Sequence, residues 1–293
     1  MAFEPPQRLV RAVGENNDWL RRLPELTQEA VDRHGLAVER VMAPGGRSSL
    51  VVLVRQPDGT PATLKIAPPF AAPALERAAL EHWDGWGTVR LLAYSDGALL
   101  LERLHPEVSL RSLPEAKALL EAAGTVRRLW VEPPADHGFR TVAEHTAGQA
   151  EALRASAFAD PATADLVAAA LAARDELIAS SSELLLLHGN FRQGKVLAAD
   201  RTPWLAVGPE PLVGERAYDL ARLARDRIDD LIATSAGPSA TRRRVGRLAD
   251  SLEVDRERLR GWTLFRAVES GARAVGAGRR QEGELCMEFA SWL

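Results

Sequence analysis

One cysteine, Cys286, stands in 293 residues, so the chain can form no internal disulfide and no thiolate metal cluster. Its apolar surroundings, ELCMEF, read as a buried structural thiol suited to a reducing compartment. Long apolar runs are also missing. The most apolar stretch, Ala164–Ala173, is too short and alanine-rich to span a bilayer. The opening MAFEPPQRLVRAVGEN has neither an apolar h-region nor a small-residue cleavage site. Together these predict a cytoplasmic protein. Charge of one sign is lacking as well: 37 Lys and Arg face 40 Asp and Glu, a formal net charge of −3, which gives no general attraction to nucleic acid or anionic membrane. Lysine is scarce beside arginine. Internal repeats are absent, and so are a Walker A loop and a dinucleotide fingerprint.

What is present is ordinary globular material, 46% hydrophobic and 26% charged, long enough for one large two-lobed domain or two small ones. Trp19–Gly35 has helical apolar spacing and stops at a glycine. LAVERVMAPGGRSSLVVLVRQPDGTPATLKIAP puts β-branched runs around Gly-Gly and Pro-Asp-Gly turns, the pattern of an antiparallel meander. A helix over Ala72–Trp83 follows, then two strands, VRLLAY and ALLLERL, joined by Ser95-Asp96-Gly97. The first hundred residues thus read as a five-stranded antiparallel sheet with one helix inside it.

From Leu113 the pattern turns helical: Leu113–Trp130, Thr141–Ala157, Pro161–Ser180, Ala217–Asp230, Pro238–Leu252 and Val254–Ala277, interrupted by a short hairpin at 184–207. Three successive arginines, Arg242–Arg244, read as the solvated start of a helix. This is an α+β arrangement, with a β-rich part over 1–104, a helical part over 105–293, and a junction at LERLHPEVS, Leu101–Ser109.

Three stretches carry chemistry. Gly45-Gly46-Arg47-Ser48-Ser49 is a glycine turn between strands whose backbone N–H groups suit either a plain hairpin or a phosphate. Lys65, in ATLKIA, sits on a strand with Leu64 and Ile66 on the opposite face; Glu76 on the next helix is its natural partner, the arrangement by which kinases hold nucleotide phosphates. Four leucines then run into His188-Gly189, a polar loop, VLAA, a turn and WLAV, which places polar groups at the end of a buried strand.

In order along the chain, GGRSSLVVLV, GTPATLK, LERAALEHWDG, ALLLERL, VRRLW, LLLHG, PWLAVGPEPLVGERAYDLARL and RAVES resemble the aminoglycoside phosphotransferase superfamily, in its streptomycin 6-phosphotransferase and hydroxyurea phosphotransferase branch. The resemblance implies a protein-kinase-like two-lobed fold, an ATP- and magnesium-dependent transferase and a role in antibiotic resistance. It implies that Lys65 and Glu76 hold the nucleotide, that Ser48 and Ser49 cover its phosphates, and that the backbone from Glu102 to Leu104 holds an adenine edge. It further implies that His188 opens the catalytic loop and that Asp219 braces it. Trp262 and Glu269, on the late helix, would border the acceptor pocket.

The departures matter as much. Where the family pattern reads roughly HGDLHHGNVL and AIDPKP, this chain has HGNFRQGKVL and AVGPEP. Asn190 replaces the catalytic aspartate, Lys195 the magnesium-binding asparagine, and Gly208 the magnesium-chelating aspartate. Magnesium demands oxygen ligands; an amide takes up no proton at neutral pH, and an ammonium repels the ion. Glu210 reads as a displaced metal ligand or as the partner of Lys195 or of an arginine such as Arg192. Three readings follow: a pseudokinase that binds ATP or another nucleotide without magnesium, with a small molecule or a protein as partner; a slow or non-standard antibiotic phosphotransferase, with Glu210 as a repositioned acid; and a drug-sequestering protein.

Overall fold

Apolar positions two apart in one segment and three to four apart in the next build a hydrophobic cluster in each part of the described residues. The computed structural model describes residues 3–156 and 160–293. It divides into one unit, Met1–Val108 with Leu197–Val207, and a second, Ser109–Val196 with Gly208–Leu293.

In the first unit, α1 (Gln7–Val13) and α2 (Asp18–Arg33) precede the sheet. Asn17 caps α2 by accepting from the Trp19 N–H at 3.0 Å, and Leu20, Leu23, Thr27, Ala30 and Val31 form its buried stripe. Strands β1 (Ala37–Val41), β2 (Leu50–Arg55) and β3 (Pro61–Ile66), helix α3 (Pro73–Trp83), and strands β4 (Leu91–Ser95) and β5 (Ala98–Glu102) follow. The strands form a five-stranded sheet in the order β1-β2-β3-β5-β4, antiparallel throughout. Asp96 and Gly97 take φ of 48° and 84°, the two left-handed residues that a tight hairpin between β4 and β5 requires. Val52, Val54, Leu64, Ile66, Ala98 and Leu100 pack with α1 and α2 residues in one core, and α3 contacts β4 and β5.

The stretch His105–Ser109, read as a junction, is strand β6. In the second unit come α4 (Glu115–Arg127), α5 (Val142–Ala155), α6 (Pro161–Ala179) and β7 (Leu185–Leu187). Ala157, the last residue of the predicted Thr141–Ala157 helix, lies outside the described residues. Strands β8 (Val196–Ala198) and β9 (Trp204–Ala206) join β6 in the order β6-β8-β9, so most of this hairpin groups with the first unit. Strand β10 (Leu212–Gly214) pairs with β7.

The helix expected over Ala217–Asp230 is broken into α7 (Arg216–Ala224) and α8 (Ile228–Ile232). Arg227 between them takes φ 56°. The break turns Asp226 and Arg227 toward the loop after β7, described below. Then follow α9 (Gly237–Leu252), α10 (Arg256–Gly276) and α11 (Arg280–Ala290). Trp262, Phe265 and Val268 of α10 pack with Tyr218, Leu187 and Phe289 in the second core. Arg244, read as solvated, is buried: it pairs with Glu115 at 2.6 Å and donates to the Ala224 carbonyl at 3.3 Å. Among the described residues no helix is long and apolar enough to cross a membrane.

Candidate functional site

In the first unit, Lys65 lies on β3 opposite Val51 and Leu99, while Leu64 and Ile66 point into the core from the other face. Its ammonium pairs with Glu76 of α3. Only 4% of the Glu76 side chain is exposed, and its second oxygen, Oε1, is buried without a partner. A buried carboxylate is stable here because the strand supplies the cation. The glycine turn joins β1 to β2, with Ser49 buried and Ser48 exposed. Glu102 has its backbone N–H on the Arg90 carbonyl at 3.0 Å. Its carboxylate accepts from Arg90 N at 2.7 Å and from Arg201 at 2.9 Å, which ties β5 to the β8–β9 hairpin. Leu104 is buried.

In the second unit, the loop from His188 to Lys195 is held at both ends by buried carboxylates. Asp219 of α7 accepts from the backbone N–H groups of His188 and Gly189, both at 2.9 Å, and from Trp130 Nε1 at 3.4 Å. Burial raises the Asp219 carboxyl to about 6, against the pull of those N–H groups and of Arg266. Asp226 accepts from the Gln193 N–H at 2.5 Å, and Arg227 donates to Gln193 Oε1 at 2.7 Å. Asp219 stood out in the sequence. Asp226 did not, because it lies past the end of α7, in the turn that breaks the helix expected there.

Gly189 takes φ 72°, and a side chain there would run into the Glu210 carbonyl. The Glu210 N–H in turn donates to the His188 carbonyl at 2.9 Å. His188 is buried; its Nδ1 accepts from the Asn190 N–H at 3.3 Å, and its ring meets Phe191 edge-on. Asn190 Nδ2 donates to Glu210 Oε1 at 2.6 Å. That leaves Asn190 Oδ1 buried without a donor.

Gly208 takes φ 61°, and a Cβ there would begin 2.5 Å from Lys195 Nζ. The ammonium thus occupies the space that a side chain at 208 would fill. At the three substituted positions the chain presents an amide oxygen, an ammonium and bare backbone.

The acceptor-pocket residues fare differently from one another. Trp262 is fully buried, donates from Nε1 to Glu215 at 2.6 Å and packs edge-on against Tyr218 and Phe265. It packs in the core, held by the same carboxylate that pairs with Arg258. Glu269 is partly buried and pairs with Arg273 at 2.8 Å. Sequence reasoning passed over Arg266, whose guanidinium lies 4.3 Å over the Tyr218 ring and donates to the Tyr218 and Gly189 carbonyls at 3.0 Å each.

Comparison with known proteins gives a consistent result. A family model described as aminoglycoside/hydroxyurea antibiotic resistance kinase matches residues 34–278. Streptomycin 6-kinase of Streptomyces glaucescens is 36% identical over 267 residues, covering 89% of this chain and 86% of the relative. Hydroxyurea phosphotransferase of Kitasatospora aureofaciens is 35% identical over 262 residues, covering 86% and 73%. Among solved structures, a thermostable mutant of aminoglycoside phosphotransferase APH(4)-Ia in ternary complex with ADP and hygromycin B shares the fold at TM-score 0.63 and 17% identity, over 90% of this chain and 96% of that one. By sequence, this chain belongs to the aminoglycoside/hydroxyurea antibiotic resistance kinase family.

Proposed function

We propose that this chain is a pseudokinase of its family, a protein that binds nucleotide without magnesium and serves as a binding or regulatory module. The observation that carries the reading is the Lys195 ammonium standing where a side chain at Gly208 would be. Phosphoryl transfer depends on positioning, on metal-held charge and on an acceptor for the hydroxyl proton. On this reading magnesium has no place at the loop: Gly208 offers no ligand, Lys195 repels the ion and Asn190 cannot take the proton. The Lys65–Glu76 pair is intact and supports retained affinity for nucleotide phosphates, as does the ADP held by the solved relative of the same fold. Lys195 supplies part of the positive charge that the metal brings elsewhere.

One contact favours a second reading, a slow or non-standard phosphotransferase acting on a hydroxyl of a streptomycin- or hydroxyurea-like molecule. Glu210 lies 2.6 Å from Asn190 Nδ2, so a carboxylate adjoins the position of the missing base. Two measurements separate the readings. Calorimetry with ATP and ADP should give an affinity that EDTA leaves unchanged and that Lys65→Ala weakens. Incubation with ATP, magnesium or manganese, and streptomycin or hydroxyurea should give no phosphorylated product; a product that vanishes in Lys65→Ala would restore the enzyme. Retained streptomycin affinity without product would instead mark a sequestering protein.

A further inference from the structure

Arg222 lies in the last turn of α7, four residues after Tyr218 and three before Arg225, so all three share one face. Its guanidinium is partly buried, and among the described residues it has neither a hydrogen bond nor an ion pair. Its charged surroundings are mostly of its own sign. Arg266, Arg225 and Arg192 bear on it, and the opposing charge is Glu210. Burial and these neighbours push Arg222 down to about 9, and burial lowers Arg225 as well.

The neighbours are fixed by neutral groups. Arg266 donates to the Tyr218 and Gly189 carbonyls at 3.0 Å each, and Arg225 donates to the Arg266 carbonyl at 3.0 Å. These bonds orient the guanidiniums without cancelling their charge. Glu210 bonds to Asn190, and no ion pair joins it to Arg222, Arg225 or Arg266. Asp219 and Glu269 offset part of the charge on Arg266 and Arg225, but Arg222 has no ion pair among the described residues, and a crowded, partly desolvated guanidinium opposes folding. Such an arrangement is explained when an anion completes it, because planar guanidiniums match carboxylate and phosphate oxygens. An independent feature adjoins it: Asn190 Oδ1, next in the chain to the Gly189 carbonyl that holds Arg266, is a buried acceptor without a donor.

We propose that Arg222, backed by Arg266 and Arg225, is an anion-binding site of the second unit that takes the phosphate or carboxylate of a small-molecule ligand. The Asn190 Oδ1 acceptor suits an O–H or N–H of that ligand. The site requires no statement about magnesium and stands apart from the pseudokinase reading.

The test uses the full chain, inorganic phosphate as probe, low ionic strength and no nucleotide. Calorimetry should show phosphate binding that weakens at least tenfold in Arg222→Gln, falls less in Arg222→Lys, and is unchanged in Arg247→Gln on the exposed face of α9. Arg222→Gln should also melt higher than the native chain without ligand, because it removes a crowded charge, and should lose the phosphate-dependent rise in Tm. The loss of the phosphate-dependent rise is the sign that a purely structural residue would not give. Repeating the titration with saturating ATP separates the sources: competition assigns the site to a nucleotide phosphate, and undiminished phosphate binding assigns it to a separate ligand. No phosphate binding to the native chain, or equal affinity in Arg222→Gln, overturns the proposal.

Discussion

Returning an acid to position 208 tests the metal argument directly. Gly208 sits at φ 61°, and a left-handed L-residue costs about 1 kcal/mol, with aspartate among the better tolerated. Its Cβ would begin 2.5 Å from Lys195 Nζ, so the ammonium must withdraw before Gly208→Asp is accommodated. Once it has done so, carboxylate and ammonium form an ion pair, and the new acid is already neutralised. A dication held ~4 Å from the Lys195 ammonium would be repelled by about 8 kcal/mol at an effective dielectric near 20. The carboxylate paired with that ammonium returns an attraction of similar size, so the pair offers the ion no net charge, and a tenfold gain in affinity needs about 1.4 kcal/mol. Gly208→Asp alone should therefore leave nucleotide affinity indifferent to magnesium. Combined with Lys195→Asn, which removes the cation and adds an amide oxygen, it should make magnesium strengthen ATP binding at least tenfold, reversibly with EDTA. Calorimetry with and without the metal reads both. A tenfold magnesium effect in the native chain, or in the single variant, refutes the reasoning.

Three further outcomes follow from buried contacts. Asp219 titrates near 6 in the folded chain and near 3.8 in the unfolded one. Its contribution to stability is therefore fully present below pH 3.8 and lost as pH rises through about 6, by at most about 1.4 kcal/mol per pH unit. Urea denaturation at several pH values should show that decline in the native chain and its absence in Asp219→Asn; parallel curves would disprove it. Gly189→Ala meets both a left-handed φ and the Glu210 carbonyl, and should lose about 3 kcal/mol or more. Gly278→Ala, with φ 74° at the end of α10 but in open space, should lose about 1 kcal/mol by the same assay. Lys65→Ala leaves Glu76 buried and unpaired and should cost about 3–5 kcal/mol, most of it recovered in Lys65→Met with Glu76→Gln; a double variant as unstable as the single would show that the pair is not the cause.

The first unit was legible because its signals are local. Alternating apolar residues, Pro-Asp-Gly and Asp-Gly turns and a lysine among leucines each point to a strand, a turn or a partner within a dozen residues. Lys65 and Glu76 are eleven apart, close enough to be matched from spacing alone. The second unit is built from distant contacts, and spacing failed there. Trp262 reads the same in a pocket wall or a core; only Glu215, 47 residues away, decides between them. The break between α7 and α8 carries no glycine or proline; it exists because Asp226 and Arg227 turn to hold Gln193, over thirty residues earlier. Strands β6 and β10 are short, and β6 contains a proline, so neither shows a readable alternation. Spacing marks Arg222 and Arg225 as neighbours, but Arg266 comes from a late helix and Arg192 from a loop, and nothing local adds those two.

The loop after β7 separates geometry from chemistry. Two carboxylates are buried to hold it, and Asp219 is charged at neutral pH only against the burial that lifts its carboxyl to about 6. A loop without a task loses nothing when such carboxylates give way to apolar residues of similar size, a replacement that is commonly neutral or stabilising. Asp219 and Asp226 instead fix the backbone at His188, Gly189 and Gln193. On the proposed reading, the side chains it positions, Asn190 and Lys195, serve binding and not metal-assisted transfer. A held loop with an amide, an ammonium and nearby guanidiniums is arranged to recognise negative charge, which is the reverse of a loop that gathers metal ions with carboxylates.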